Sequence, residues 1–144
     1  MNLDDLNNGR FEIRPLAYRM GRLFKSELYG SWLRWSNDWS RHTAFTFRPI
    51  TEGDKRYFHI FSADFPDCYV TMGLFSWYVR CTHGDPTGDI DGTWEIQRLE
   101  YNNGYCNTLC TKDGNYMRAD GTRRIHGQRG GISEKSMFFI NQLN

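Results

Sequence analysis

FTFRPI (45–50), WEIQRL (94–99) and FFINQL (138–143) share one pattern: an aromatic residue, any residue, Phe or Ile, two further residues and an aliphatic residue. The aromatic residues that begin the three segments are Phe45, Trp94 and Phe138. Alternation of apolar and other residues is typical of a strand with one face on a hydrophobic core. The segments therefore predict one strand that recurs three times, at intervals of 49 and 44 residues (45 to 94 and 94 to 138).

Further apolar patches recur upstream of these strands. Twelve to fifteen residues earlier stand Leu33, Val79 and Ile125, and eight or nine residues before those stand Phe24, Val70 and Met117. The first two units open with FEIRPLA (11–17) and YFHIFSA (57–63), and YCNTLCT (105–111) is a weaker opening for the third. Intervals this short, separated by turns that contain Gly and Asp, suit strands and leave no room for a long helix.

The chain thus divides into three units, near residues 11–52, 57–101 and 104–144, each with four short strands. Such a repeat predicts an all-β architecture with pseudo-three-fold symmetry. A chain of 144 residues can bury one hydrophobic core, so the simplest organisation is a single domain over residues 1–144.

This repeat resembles the β-trefoil, a six-stranded barrel closed at one end by three hairpins. The best local match is DGNYMRADGTRRIHGQ (113–128) followed by MFFINQL (137–143), which looks like the fascin-like branch of that superfamily. The positions that match the hairpin motif of the branch are Gly114, Tyr116, Met117, Ala119, Gly121 and Ile125. The resemblance implies a lectin-like or fascin-like binding module. The Q-x-W motif of ricin-type trefoils does not occur, so a sugar site here needs another design.

An up-and-down barrel, such as a lipocalin-like cup, is the alternative all-β fold. Its local support is GTWEI (92–96), a Gly-x-Trp strand. That fold has no threefold recurrence, so the sequence favours the trefoil.

Charge and hydropathy exclude two classes of partner. The formal net charge is +1, whereas a protein that binds nucleic acid through bulk electrostatics usually carries a clear basic excess. No apolar stretch approaches the roughly 20 residues needed to span a bilayer. The start, MNLDDLNNGR (1–10), lacks the layout of a secretory signal. We therefore expect a cytoplasmic protein, with a processed or unconventionally secreted chain as the alternative.

The four cysteines are Cys68, Cys81, Cys106 and Cys110. Three residues separate the last two, which is not the usual spacing of a redox or zinc motif, and no pair of histidines stands nearby. The sequence therefore predicts free thiols, with two disulfides as the alternative, and it predicts no metal site and no cofactor.

SWLRWSNDWSRH (31–42) holds three of the five tryptophans. Trp35 shares the strand face of Leu33, which places it at the hairpin end of the core. Trp39 follows in a loop and is expected to be the most exposed. An indole that stacks on a sugar ring, with amide and carboxylate groups for its hydroxyls, makes a minimal saccharide site. The residues predicted to form it are Trp35, Asn37, Asp38, Trp39 and His42, although a purely structural role for the tryptophans is the alternative.

HGDPTGDIDG (83–92) is a long acidic loop in the second unit. It carries Asp85, Asp89 and Asp91 but lacks the EF-hand pattern and its closing Glu, so a turn-forming loop is favoured over a calcium site. Its place matches that of the Trp39 loop, which makes these three acids a second candidate site for a ligand or partner. A basic cluster in the third unit suits an anion or an acidic protein face, or is a solvated edge; it comprises Arg118, Arg123, Arg124, His126 and Arg129.

No catalytic motif occurs in the chain: there is no G-x-S-x-G, H-E-x-x-H, P-loop or dinucleotide-binding glycine pattern. We therefore expect no enzyme. The leading hypothesis is a carbohydrate-binding, lectin-like trefoil whose partner is a glycan or glycoconjugate. The alternatives are a protein-interaction module of the fascin-like kind and a protease inhibitor.

Overall fold

The computed structural model describes residues 3–27, 31–39, 42–73 and 77–144. Its twelve strands are β1 (Arg10–Pro15), β2 (Arg22–Lys25), β3 (Leu33–Ser36), β4 (Phe45–Glu52), β5 (Lys55–Ser62), β6 (Cys68–Thr71), β7 (Arg80–His83), β8 (Trp94–Tyr101), β9 (Gly104–Thr111), β10 (Asn115–Ala119), β11 (Ile125–Arg129) and β12 (Phe138–Leu143). Short 3-10 helices span Leu3–Asn7, Ile90–Gly92 and Glu134–Ser136. Within these ranges, no helix has the length and apolar character to cross a membrane.

Six of the strands close into an antiparallel barrel. The ring runs β1–β4–β5–β8–β9–β12 and returns to β1. The other six form three hairpins, β2–β3, β6–β7 and β10–β11. Each set of four consecutive strands supplies two barrel strands and one hairpin, which is the β-trefoil arrangement. The predicted all-β fold with three four-stranded repeats is thus confirmed.

The residues that revealed the repeat lie in the barrel core. Phe45, Trp94 and Phe138 are the first residues of β4, β8 and β12, and all three are fully buried. The Trp94 indole Nε1 donates to the Val70 carbonyl at 3.0 Å, so its one polar group is satisfied inside the core. Burying a large apolar side chain stabilises the folded state by about 1.5–3 kcal/mol. These positions are therefore the main anchors of the three repeats.

The hairpins meet on the pseudo-three-fold axis in a surface that we call the hairpin cap, formed by residues 31–36, 77–83 and 123–129. Leu33, Val79 and Ile125, each 46 residues from the next, are buried at its centre. The Leu33 N–H donates to the Val79 carbonyl, and the Val79 N–H donates to the Ile125 carbonyl. An outer ring of three further backbone bonds repeats with the same spacing: Trp35 to Arg123, Cys81 to Ser31 and Gly127 to Trp77.

One predicted equivalence is wrong by a single residue. Leu23, and not Phe24, faces Trp35 across its hairpin, as Val70 faces Cys81 in the second repeat. Leu23 is fully buried in the core cluster, whereas Phe24 lies on the other face of β2. Two adjacent apolar residues point to opposite faces of a strand, so spacing alone could not select between them.

The interior positions beside the axis differ in size among the repeats. Trp35, Cys81 and Gly127 occupy equivalent places, two residues after the central residues of the cap. The Met72 side chain fills the space that a Cβ on Gly127 would need. The core thus remains filled although one equivalent position has no side chain. All four cysteines are free thiols, and Cys81 and Cys106 are buried.

Candidate functional site

Trp35 is part of the core. Its ring stacks on Tyr18 with centroids 4.4 Å apart, and its Nε1 donates to the Asp120 carbonyl at 2.7 Å. Gly21 permits this packing, because a Cβ there would lie 2.6 Å from the indole. The side chain is 7% exposed. A ligand cannot reach the ring without displacing its neighbours, so we leave Trp35 out of the proposed site.

Trp39 is exposed but not free. It is 41% exposed, and its Nε1 donates to the Met20 carbonyl at 3.0 Å. The guanidinium groups of Arg14 and Arg22 lie 4.5 and 4.1 Å from the ring centroid. Both guanidinium groups also bind the Glu12 carboxylate, at 2.9 and 2.5 Å. The indole ring that was predicted to stack on a sugar therefore already contacts two arginines of the same chain.

The polar residues predicted to accompany Trp39 have different surroundings. Asn37 and Asp38 are exposed in the loop after β3. His42 lies between two carboxylates, with Nδ1 2.9 Å from Asp64 and Nε2 3.0 Å from Glu27. The hydrogen bond to Asp64 is the main reason why the pKa of His42 is raised. His42 thus belongs to an acidic cluster with partners different from those of Trp39.

In the second candidate loop, Asp89 is a structural acceptor. Its carboxylate accepts from the Tyr69 hydroxyl at 2.7 Å, from Thr71 Oγ1 at 2.9 Å and from the Asp91 N–H at 3.0 Å. Burial, and then the bond to Asp89, raises the pKa of Tyr69 to about 12. Asp89 therefore fastens the acidic loop to β6 and caps the short helix Ile90–Gly92.

The other two acids of that loop have different surroundings. Asp85 is exposed and accepts from the Thr87 N–H at 3.0 Å, which lowers the pKa of its carboxyl. Asp91 is half-buried, and burial, followed by the charge of Asp89, raises its pKa. Among the residues that the structure describes, no group of three acids, cysteines or histidines could hold a metal ion.

A cleft of about 320 Å³ lies between the acidic loop and the barrel. We call it the acidic-loop cleft; its lining residues are Arg48, Ile50, Glu52, His59, Thr87, Gly88, Asp89, Ile90, Thr93 and Lys112. Ile90 is 50% exposed, which gives the cleft an apolar surface at its rim. Lys112 pairs with Glu52 at 2.5 Å, so a cation and a carboxylate stand side by side. The cleft therefore combines apolar area with both hydrogen-bond donors and acceptors.

His59 and Thr93 form a short polar chain in the wall of this cleft. Thr93 Oγ1 donates to the Asp89 carbonyl at 2.8 Å and lies 3.3 Å from His59 Nε2. Because the hydroxyl proton is used on Asp89, the imidazole Nε2 must carry the proton of the second bond. Burial, and then the nearby Arg48, lowers the pKa of His59. The imidazole is thus neutral at neutral pH.

The cleft brings together residues that the sequence did not connect. Asp89 is the one predicted site residue among them, while Arg48, Glu52, His59 and Lys112 were missed. Arg48, Ile50 and Glu52 alternate along β4, so a period of two could have marked them as one strand face. No local motif joins β4 to His59 on β5 or to Lys112 beyond β9.

The predicted basic cluster of the third repeat is dispersed. Arg129 pairs with Asp113 at 2.9 Å, and Arg118 bonds to Gln128. Arg124 instead extends across the hairpin cap, where its Nη1 donates to the Tyr78 hydroxyl at 2.7 Å. These arginines do not form one anion site.

No family model and no curated protein matches the sequence. Solved structures do match. The BEL β-trefoil aligns with 95% of this chain and 94% of its own chain, with a TM-score of 0.77 and 11% identity. A Polyporus squamosus lectin, solved with the human-type influenza-binding epitope Neu5Acα2-6Galβ1-4GlcNAc, aligns with 95% of this chain and 50% of its own, with a TM-score of 0.74 and 17% identity.

A mosquitocidal holotoxin also aligns with 95% of this chain, with a TM-score of 0.76 and 13% identity. This chain spans 17% of the length of the holotoxin chain and half that of the lectin chain. Similarity at such low identity concerns the fold alone. From its own strand pairing and from these structures, the chain has the β-trefoil fold.

Proposed function

We propose that this protein is a non-enzymatic, lectin-like β-trefoil that binds a saccharide in the acidic-loop cleft. The observation that carries the proposal is the composition of the cleft, in which an exposed Ile90 stands near the Glu52–Lys112 pair. Sites for small ligands have volumes of about 300–1,000 Å³ and a few placed polar groups, and this cleft lies at the lower end of that range.

The chemistry of a sugar fits these groups. Its C–H face would pack on Ile90 and Ile50, and its hydroxyl groups would donate to Glu52 and accept from Lys112. Arg48 adds a further donor that is held in place, because its guanidinium lies 4.5 Å from the Phe61 ring centroid. The carboxylate of Asp89 is already satisfied, so its role is to shape the loop. Preorganised groups lower the entropic cost of binding.

The trefoil neighbours support the class of ligand. The Polyporus squamosus lectin, half of whose chain aligns with this fold, was solved with a bound glycan. The Trp39 face is the second candidate position for the same function. A sugar that stacks on Trp39 would compete with the guanidinium groups of Arg14 and Arg22, so we expect the cleft to be the stronger site.

A glycan array that compares the wild type with Glu52→Gln and Trp39→Ala tests the proposal. Glu52→Gln removes an acceptor charge from the cleft, and Glu100→Gln, exposed on β8, is the matched control. We expect Glu52→Gln to weaken the binding of neutral glycans by roughly tenfold, because a hydrogen bond to a charged group contributes about 1.5–3 kcal/mol. Trp39→Ala and Glu100→Gln should bind like the wild type.

The opposite pattern, with binding lost only in Trp39→Ala, would move the site to the Trp39 face. A blank array with a folded wild type would contradict carbohydrate binding. It would favour a protein partner, which a pull-down and a protease-inhibition assay would then examine.

A further inference from the structure

The outer surface of the hairpin cap carries an alternating ring of side chains. Because Leu33, Val79 and Ile125 point into the core, their neighbours point outward. The residues that precede them are Trp32, Tyr78 and Arg124, and those that follow are Arg34, Arg80 and His126. Backbone bridges join these positions in pairs: Trp32 with Arg80, Tyr78 with His126, and Arg124 with Arg34. The pseudo-three-fold axis thus gathers three arginines and two aromatic rings on one face.

The aromatic part of this face is ordered by its own contacts. Trp32 and Tyr78 stack with centroids 4.6 Å apart and an interplanar angle of 27°. The Arg124 guanidinium lies 5.6 and 5.1 Å from the two ring centroids. Beside the pair, Trp77 is 68% exposed, although indole is a large apolar group. An indole this exposed contributes little to folding, so it is available to contact a ligand.

Two arginines of this face, Arg80 and Arg124, have no acidic partner among the described residues. Five of the other described arginines pair with acids; these are Arg10, Arg14, Arg22, Arg56 and Arg129. Within the described ranges, no carboxylate forms an ion pair with Arg80 or Arg124, and the Nη1 of Arg124 donates to the Tyr78 hydroxyl. Asp120 faces His126 at 3.4 Å and accepts from the backbone of its own turn. No described carboxylate therefore neutralises the guanidinium charges of Arg80 and Arg124, which favours an anionic ligand on this face.

We propose that the outer surface of the hairpin cap binds an anionic saccharide, with its carboxylate or sulfate on the guanidinium groups of Arg80 and Arg124 and a sugar ring on Trp77. Guanidinium groups bind oxyanions through paired, charge-assisted hydrogen bonds. The inference rests on the proposed function for the class of ligand, but its site and charge requirement are separate from those of the cleft.

Nucleic acid fits this face less well. Its affinity depends on many phosphate contacts, whereas this surface offers three arginines in a protein with a net charge of +1. Trp32 and Tyr78 already stack on each other, which leaves no gap for a base between them. A saccharide needs one ring surface and one charged substituent, and the cap supplies both.

Isothermal titration of the folded chain tests the proposal with three probes: a hyaluronan tetrasaccharide for carboxylate, a chondroitin sulfate tetrasaccharide for sulfate, and chitotetraose as the neutral comparison. We expect Arg80→Gln to weaken the binding of both acidic probes by roughly tenfold. Arg80→Lys keeps the charge, so its affinity for these probes should fall between those of the wild type and Arg80→Gln. Arg98→Gln removes one positive charge near the β8–β9 turn, and should change affinity within about twofold.

Four outcomes would overturn the inference. The first is that the folded wild type binds neither acidic probe, and the second is that Arg80→Gln and Arg98→Gln lose affinity for them equally. The third is that chitotetraose binding depends on Arg80 as strongly as binding of the acidic probes does. The fourth is that a short oligonucleotide binds more tightly than both acidic tetrasaccharides. Glu52→Gln separates this inference from the proposed function, because that variant should lose neutral glycans and keep the acidic probes.

Discussion

The β3–β4 loop of the first repeat and the β7–β8 loop of the second connect equivalent strands, yet opposite chemistry holds them in place. In the first, Trp39 is held by the guanidinium groups of Arg14 and Arg22 and by a backbone carbonyl. In the second, Asp89 is held by the hydroxyl groups of Tyr69 and Thr71. In both loops the side chain most typical of a ligand site is engaged by the protein itself.

The difference lies in how firmly each loop is held. Asp89 is half-buried, and three donors satisfy it, so the loop that it fixes can form one wall of a permanent cleft. Trp39 remains 41% exposed, and its cation–π contacts with Arg14 and Arg22 are each weaker than a hydrogen bond to a carboxylate. The loop tryptophan thus stays partly accessible to solvent, whereas the half-buried loop aspartate has a structural role.

The largest effect is expected from Asp89→Ala. The substitution leaves the Tyr69 and Thr71 hydroxyls and the Asp91 N–H without their acceptor, so we expect a loss of about 2–4 kcal/mol in the free energy of unfolding. Urea denaturation measures it. Asp85→Ala, in the same loop but exposed, is the control and should leave the denaturation midpoint nearly unchanged. Equal losses in the two variants would break the comparison.

A smaller effect is expected from Trp39→Ala. Cation–π contacts at exposed sites contribute about 0.5–1 kcal/mol each, and a hydrogen bond adds a similar amount, so we expect a loss of roughly 1–2 kcal/mol. Trp77→Ala is the matched exposed tryptophan and should cost less than about 0.5 kcal/mol. A Trp39→Ala midpoint equal to that of Trp77→Ala would mean that the guanidinium contacts do not stabilise the loop.

The smallest effect is a pH dependence at the end of the first loop. The folded-state pKa of His42 is raised above its unfolded value, so its stabilising contribution is complete below pH 6.5 and is lost as the pH rises through the folded pKa. We therefore expect the stability difference between the wild type and His42→Gln to shrink from acidic to alkaline pH. Urea midpoints between pH 5 and pH 9 measure it, and parallel profiles for the two proteins would contradict the prediction.

The fold could be predicted because its repeating signals are local. Phe45, Trp94 and Phe138 begin barrel strands, and a half-buried strand leaves a period of two in the sequence. Leu33, Val79 and Ile125 recur every 46 residues, and their backbones bond to one another where the three hairpins meet. The assignment at Phe24 failed where two apolar residues are adjacent, and only the strand pairing selects Leu23.

The site was less predictable because its partners are distant in sequence. The exposure of Trp39 could be predicted from its position in a loop. Its contacts with Arg14 on β1 and Arg22 on β2 could not, because no residue near Trp39 in the sequence indicates them. The cleft likewise needs β4, β5 and the acidic loop in their folded positions. Residues that come together from separate strands form no contiguous motif. The sequence therefore identified the acidic loop on one side of the cleft and missed the barrel residues on the other side.

The unequal residues Trp35, Cys81 and Gly127 have a consequence for how the chain finds its native order. Three hairpins with similar backbones could each pack at any of the three equivalent positions around the axis. Trp35 at the position of Gly127 would overlap Met72. Gly127 at the position of Trp35 would leave a cavity beside Tyr18, at a cost of about 3–5 kcal/mol. Each hairpin therefore packs well at one position only, and side chains of different size give a nearly symmetric backbone a single arrangement.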